Sequence, residues 1–254
     1  MKGITLPAAA PSMPTQRAAR IVGAVMLLTF LTSIGGYAAY GSILDDPNWV
    51  TDAGSVTTVQ IGAMLEILLV IANIATAIVL FPILRRTHER LALGWVASRI
   101  VESTLIAIGV VSLLAVLTLN TEGVGSDASL VTSAQAFVAA HDATFLLGPG
   151  FCVAFGNGLL LGYAMLRSGL LPGRLAMIGL AGGALCLVNA TGALFGGWEQ
   201  MSATGALLSL PEMVWEGGVL GIYLMTKGFT TPQPSPRATV QQSQPTMPLA
   251  AAAH

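Results

Sequence analysis

Residues 91–119 read LALGWVASRIVESTLIAIGVVSLLAVLTL. At 1.5 Å of rise per residue, a helix of this length exceeds the ~30 Å hydrocarbon core of a bilayer. Its apolar residues show none of the strict alternation of a half-buried strand. The stretch carries only two charges, Arg99 and Glu102. Three residues apart, they share one face of the helix. The first expectation is therefore a membrane-spanning helix with a charged pair inside it.

Five further segments meet the ~20-residue length that a span requires. Residues 21–40 carry no charge, and residues 60–84 are interrupted by Glu66 and Asn73. Residues 136–166 contain His141, Asp142 and a Gly148-Pro149-Gly150 string. Residues 175–197 are rich in Gly and Ala, and residues 206–226 hold Glu212 and Glu216. The fold class expected is all-α, a polytopic membrane protein built as a six-helix transmembrane bundle. Composition points the same way. The 254 residues are 54% hydrophobic and 9% charged, with mean hydropathy +0.76, whereas a soluble domain carries about 25% charged residues to face water. A soluble enzyme and a disordered chain are excluded. The net charge of -1 excludes a nucleic-acid partner held on a basic face. The lipid bilayer is the first partner.

The charges outside the spans orient the chain. Lys2, Arg17 and Arg20 precede the first span, and Lys227 and Arg237 follow the sixth. Arg85, Arg86 and Arg90 fill the second-to-third connection, and Arg167 and Arg174 the fourth-to-fifth. The other three connections hold only acids: Asp45, Asp46, Asp52, Glu122, Asp127 and Glu199. By the positive-inside rule both termini are expected in the cytoplasm. The first apolar stretch is too long for a signal-peptide core and reads as a retained helix. Lipid-anchor motifs are absent. Residues 1–16 and 230–254, rich in Pro and small or polar residues, read as disordered tails around a transmembrane domain over 17–229. Cys152 and Cys186 stand in apolar stretches without metal-ligand spacing, so no metal and no cofactor are expected.

Function must then lie with the ionisable residues inside the spans: Glu66, Arg99, Glu102, Asp142, Glu212 and Glu216. Each costs ~2.5–3.5 kcal/mol at mid-span on insertion scales. One cation facing five anions is not a state that dry protein holds, so some carboxyls must be protonated, wet or neutralised by a bound cation. Arg99 and Glu102 read first as a structural ion pair, and alternatively as an anion-binding Arg tuned by its neighbour. Ser209-Leu210-Pro211-Glu212 reads as a capping box that starts the sixth helix near Leu210 with Glu212 at the outer interface. No capping role explains Glu216. His141 and Asp142 precede the Gly-Pro-Gly string, read either as a proline kink or as a broken helix lining a cavity. His141 would in the second case carry protons. Glu66, Asp142 and Glu216 each sit in the outer half of an even-numbered span, which hints at acids converging on one vestibule.

Helix contacts have their own signature. Gly150, Ala154, Gly158 and Gly162 recur every four residues, and Gly179/Gly183, Gly192/Gly196 and Gly217/Gly221 repeat the spacing. Small residues so placed let membrane helices approach closely, here within one chain sooner than across a homo-oligomer seam.

Several strings together are similar to a known family: AMLE at 63–66, LFPILRR at 80–86, LALGWVASRIVES at 91–103, HDATFLLGPGF at 141–151 and GYAMLRSGLLPGRLAMIGL at 162–180. They resemble the bacterial membrane proteins grouped as domain of unknown function family 4386, over roughly residues 17–229. The resemblance implies a compact multi-pass protein of the bacterial inner membrane and carries no activity or catalytic residue with it. The matching positions, Glu66, Arg99, Glu102, His141, Asp142 and the Gly-Pro-Gly string, are those the charge argument selects. Three functions compete. A transporter or channel-like protein would use the acids for protons, cations or a small solute. A sensor or assembly protein would use them only to lock the bundle. A lipid-acting intramembrane enzyme would use His141 and Asp142 as acid–base pair with Arg99 on a phosphate.

Overall fold

The computed structural model describes residues 13–46, 48–51, 55–123 and 125–230, with side chains from residue 16. The expected tails at 1–16 and 230–254 lie almost wholly outside these residues. Among the described residues the chain is all-α, with no strand. Helix α1 spans Met13–Asp45, α2 Val56–Glu122 and α3 Asp127–Phe145. A π-helical segment, Leu146–Leu161, continues α3 into α4, Gly162–Ser168. Helix α5 covers Gly173–Leu194. Helix α6, Ala203–Met213, runs through a second π segment, Val214–Leu220, into α7, Gly221–Thr226.

Four helices are long and apolar enough to cross a membrane: Gln16–Asp45, Val56–Glu122, Asp127–Ser168 and Gly173–Leu194. This differs from the six separate spans expected. The second and third expected spans are one element of 67 residues, and the sixth lies in the α6 to α7 stretch, which is helical throughout but not among the four. A straight helix as long as α2 would measure about 100 Å, three bilayer cores. It is not straight. His88 leaves helical geometry (φ -146°, ψ 79°) within the polar run Arg85 to Arg90, which has no reason to enter an apolar layer. Asn73 Nδ2 donates to Glu102 Oε1 at 3.0 Å across 29 residues, a separation of about 44 Å along a straight helix. Helix α2 is therefore a hairpin, its arms lying side by side.

The surface is as apolar as the interior. Leu31, Ile78 and Val111 are each about two-thirds exposed (65%, 68% and 66%), and Ile61, Met64, Ile71 and Phe155 are more than half exposed. Soluble proteins do not leave such contiguous apolar area to water. Inside, two apolar clusters occupy the ends of the bundle. One gathers Met26, Leu80, Leu84, Trp95, Leu161, Met165, Trp215 and Leu224. The other gathers Tyr40, Ile43, Trp49, Val50, Val59, Leu113 and Val116. On α1 and on both arms of α2 the buried polar residues fall between them. At the first end, Gln16 and Phe229 clasp the two ends of the helical region: Gln16 Nε2 donates to the Phe229 carbonyl at 2.9 Å, and Phe229 N–H to Gln16 Oε1 at 3.0 Å.

Glycines allow the close approaches. A Cβ on Gly183 would stand 2.6 Å from Gly158 Cα, and one on Gly182 2.7 Å from the Glu212 nitrogen. The chain thus stacks α5 backbone to backbone against the first π segment and α6. Gly196 has a different use from the one its spacing suggests. It lies beyond the end of α5 with φ 72°, a left-handed turn that glycine adopts without a Cβ clash.

Two local readings are corrected. The Gly148-Pro149-Gly150 string does not break the helix. Pro149 lies within the 16-residue π segment, whose wider turns accommodate a ring that can neither donate to the Phe145 carbonyl nor pack under it in α geometry. Glu212 caps nothing. The helix begins nine residues earlier than Glu212, at Ala203, where the Ser202 side chain accepts from Gly205 N–H. Pro211 is then mid-helix, and the π segment follows it within three residues. Ser202→Ala is expected to cost about 1 kcal/mol, the usual worth of an N-cap, read as a lowered melting temperature in detergent.

Candidate functional site

The arms of α2 carry polar residues on their facing sides, and the two π segments bring one each to the same place. Arg99 is 1% exposed. Its Nη1 lies 3.0 Å from Glu102 Oε2 and 3.2 Å from Glu102 Oε1. The same nitrogen stands 3.2 Å from Glu216 Oε1, an ion pair without hydrogen-bond alignment. Asn73 donates to Glu102, and Asn157 Nδ2 donates to Glu216 Oε2 at 3.0 Å. Trp95 Nε1 donates to Asn157 Oδ1 at 3.0 Å, which fixes that amide's orientation. Thr76 stands 3.5 Å from Arg99 Nη2 and gives its own hydroxyl proton to the Asn73 carbonyl at 2.7 Å.

Asn157 comes from Leu146–Leu161 and Glu216 from Val214–Leu220. A π turn shifts every later side chain around the helix axis, and such turns recur at functional sites. Here one turn sets Glu216 against the Arg99 guanidinium, and the other sets Asn157 against Glu216. Sequence periodicity, which assumes 3.6 residues per turn, has no means of placing Asn157 there. A buried Asn inside an apolar span is the available signal.

Glu212 adds a third carboxyl. It is 2% exposed, its Oε1 has no hydrogen-bond partner, and it lies within electrostatic reach of Glu216, Glu102 and Arg99. Its side chain passes 3.4 Å from the space a Cβ on Gly158 would fill. Glu102 and Glu216 are each engaged by Arg99 and an Asn amide. Three carboxyls thus share one guanidinium in an interior where unbalanced charge is costly.

Glu66 and His141 form a second group, two helical turns away: Glu66 precedes Asn73 by seven residues on one arm, and Gly109, against which His141 packs, follows Glu102 by seven on the other. A reciprocal fit builds this group. Gly36 on α1 leaves room for Glu66, and Gly62 on α2 for the ring of Tyr40, each glycine one turn before the polar residue on its own helix. Tyr40 is fully buried, and nothing in its sequence context singles it out. His141 is 3% exposed, within electrostatic reach of Glu66, and its ring meets that of Tyr40 at 5.9 Å, edge to face. Asp142 is not buried: its side chain is 67% exposed, with Oδ1 3.4 Å from His141 Nδ1. The expected single vestibule is therefore two groups, and among the described residues no contact joins His141 to Arg99. An acid–base pair acting beside an Arg-held phosphate does not fit this separation. Among the described residues no group of three or more His, Cys, Asp and Glu side chains is arranged to hold a metal ion.

An apolar exterior, crossing helices and a charged cluster locked at mid-bundle define a polytopic α-helical membrane protein with a buried ionic site. The sequence model of the family described as Domain of unknown function (DUF4386) matches residues 21–228, and the chain belongs to that family. Searches of curated proteins and of solved structures found no match.

Proposed function

We propose that the chain crosses a bacterial inner membrane six times, with both termini cytoplasmic, and that its central cluster handles protons in a transport-type cycle. The hairpin at His88 and the α6 to α7 stretch supply the two crossings beyond the four long helices. The clasp between Gln16 and Phe229 supports an even number, because it holds both ends of the helical region together. Lys and Arg in the connections at that end support a cytoplasmic position for it.

The observation that carries the reading is Glu212. A carboxyl buried in a span, with an unpartnered oxygen and two further carboxyls around one guanidinium, is a place where a proton is gained and lost at high leverage. A single free carboxyl suits a proton better than a larger cation, which needs several converging oxygens. Purified protein in liposomes loaded with a pH dye tests this. An imposed proton gradient or a panel of co-substrates is expected to drive uptake that falls at least about tenfold in Glu212→Gln. Equal flux in wild type and variant overturns the proposal.

The sensor or assembly reading has its own observation: Arg99 ties the second arm of α2 to the last helix through Glu216. Under it, Arg99→Met combined with Glu102→Met would leave a folded, fully active protein.

A further inference from the structure

A cleft of about 180 Å³ opens at the end of the bundle remote from the Gln16–Phe229 clasp. It lies among the end of α1, the second arm of α2 and α3, and Asp46, Trp49, Gln135 and Asp142 line it. Asp142 is the innermost acid of that lining along α3, and its carboxylate reaches His141 Nδ1. The imidazole then passes from cleft to interior. Its Nδ1 side meets Asp142 and its Nε2 and Cδ2 edge lies against Gly109, while Tyr40 meets the ring edge to face and Glu66 lies within electrostatic reach of it. From Glu66 the polar face of α2 continues through Asn73 to Glu102. On the second arm, Ser103 offers a buried hydroxyl without a hydrogen-bond partner between the two layers.

We infer that the cleft, Asp142, His141 and Glu66 form the proton access route from the outer face to the central cluster. This rests on the transport reading of that cluster and names the side from which its proton comes. An imidazole can take a proton on Nδ1 and release another from Nε2, so one proton enters from Asp142 or cleft water as one leaves toward the Glu66 carboxylate, and the ring is regenerated by tautomer exchange. Among the described residues, the charged and titratable groups around His141 are Asp142 on its own helix, Tyr40 on α1 and Glu66 on the first arm of α2. Tyr37, whose ring meets that of Phe145 at 5.6 Å, lies within electrostatic reach of Asp45 and Asp142. The second arm of α2 presents Gly109 to the ring.

Two measurements on the full chain test the route. In a Cys152→Ala, Cys186→Ala background, Asp142→Cys places a thiol at an exposed position of the cleft, so labelling by a membrane-impermeant maleimide reports the cleft directly. The residue is expected to label at least about tenfold faster in intact spheroplasts than in inside-out vesicles. Labelling only from the cytoplasmic side, or none, overturns the inference. In the liposome assay, His141→Gln and Glu66→Gln are each expected to lower proton uptake at least about tenfold, with Asp142→Asn lowering it less because water in the cleft can substitute. Wild-type flux unchanged by both variants overturns the route while leaving the Glu212 reading intact. Outer-face labelling of position 142 without flux in the wild type sinks the transport reading alone, and the cleft stands as an outward-facing site.

Discussion

Arg99→Met is expected to destabilise the protein by about 3–5 kcal/mol, the typical result of removing one partner from a buried ion pair. The guanidinium is 1% exposed and faces Glu102 and Glu216 directly, with Glu212 nearby. Its removal strands three carboxyls in an interior that cannot solvate them. The loss comes mostly from what is left behind rather than from the contacts removed. Compensation distinguishes the two. Adding Glu102→Gln and Glu216→Gln to Arg99→Met is expected to restore most of the stability, because neutral amides no longer need a counter-charge and can still meet Asn73 and Asn157. Unfolding in detergent, followed by tryptophan fluorescence, would read both effects. A triple variant no more stable than Arg99→Met would show that geometry, not charge balance, dominates the cluster.

Gly183→Val is expected to be a severely damaging packing change. Its Cβ would stand 2.6 Å from Gly158 Cα and 2.9 Å from the Ala154 carbonyl oxygen. Backbone cannot rotate aside as a flexible side chain would, so α5 must move away from the π segment. Overpacking costs 1–3 kcal/mol in ordinary cores and occasionally more, and here about 3 kcal/mol is the expected scale. Separation at this point also moves the Gly158 niche beside Glu212. The variant should therefore lose monodispersity in size-exclusion chromatography as well as proton uptake. Gly218→Ala is the contrasting control, since nothing lies within 4 Å of its Cβ position.

Much of the site is legible in single residues. Arg99 and Glu102 are visible as a pair because three residues of helix place them on one face whatever surrounds them. Glu216 stands out because a carboxyl in an apolar run needs a reason. The partners are less visible. Asn73 and Asn157 are neutral, so the charge argument does not select them, yet each donates a hydrogen bond to a buried carboxylate. Glu212 misleads because Ser-Leu-Pro-Glu has the pattern of a helix start, and a local pattern cannot tell a first turn from a π-relieved proline in mid-helix. Asp142 misleads because depth along a span does not say which side of the helix faces the bundle. The positions flanking Pro149 are recognisably unusual, but the outcome, a widened turn instead of a break, depends on neighbours that keep the chain helical.

By itself the sequence determined those properties that rest on counting and on local geometry: an all-α chain for a membrane, its low charge, and the acids and the one arginine placed inside apolar stretches. They depend on transfer energies and helical rise, which need no tertiary contact. Only the tertiary structure decided which charges meet. It folded α2 back at His88, so that Asn73 reaches Glu102. It used two π segments to turn Glu216 onto the arginine and Asn157 onto Glu216, and it left His141 with Glu66 and Tyr40 two turns away. Rotation about a helix axis is set by packing against neighbours. Where the turn widens, the period from which a face would be read no longer holds.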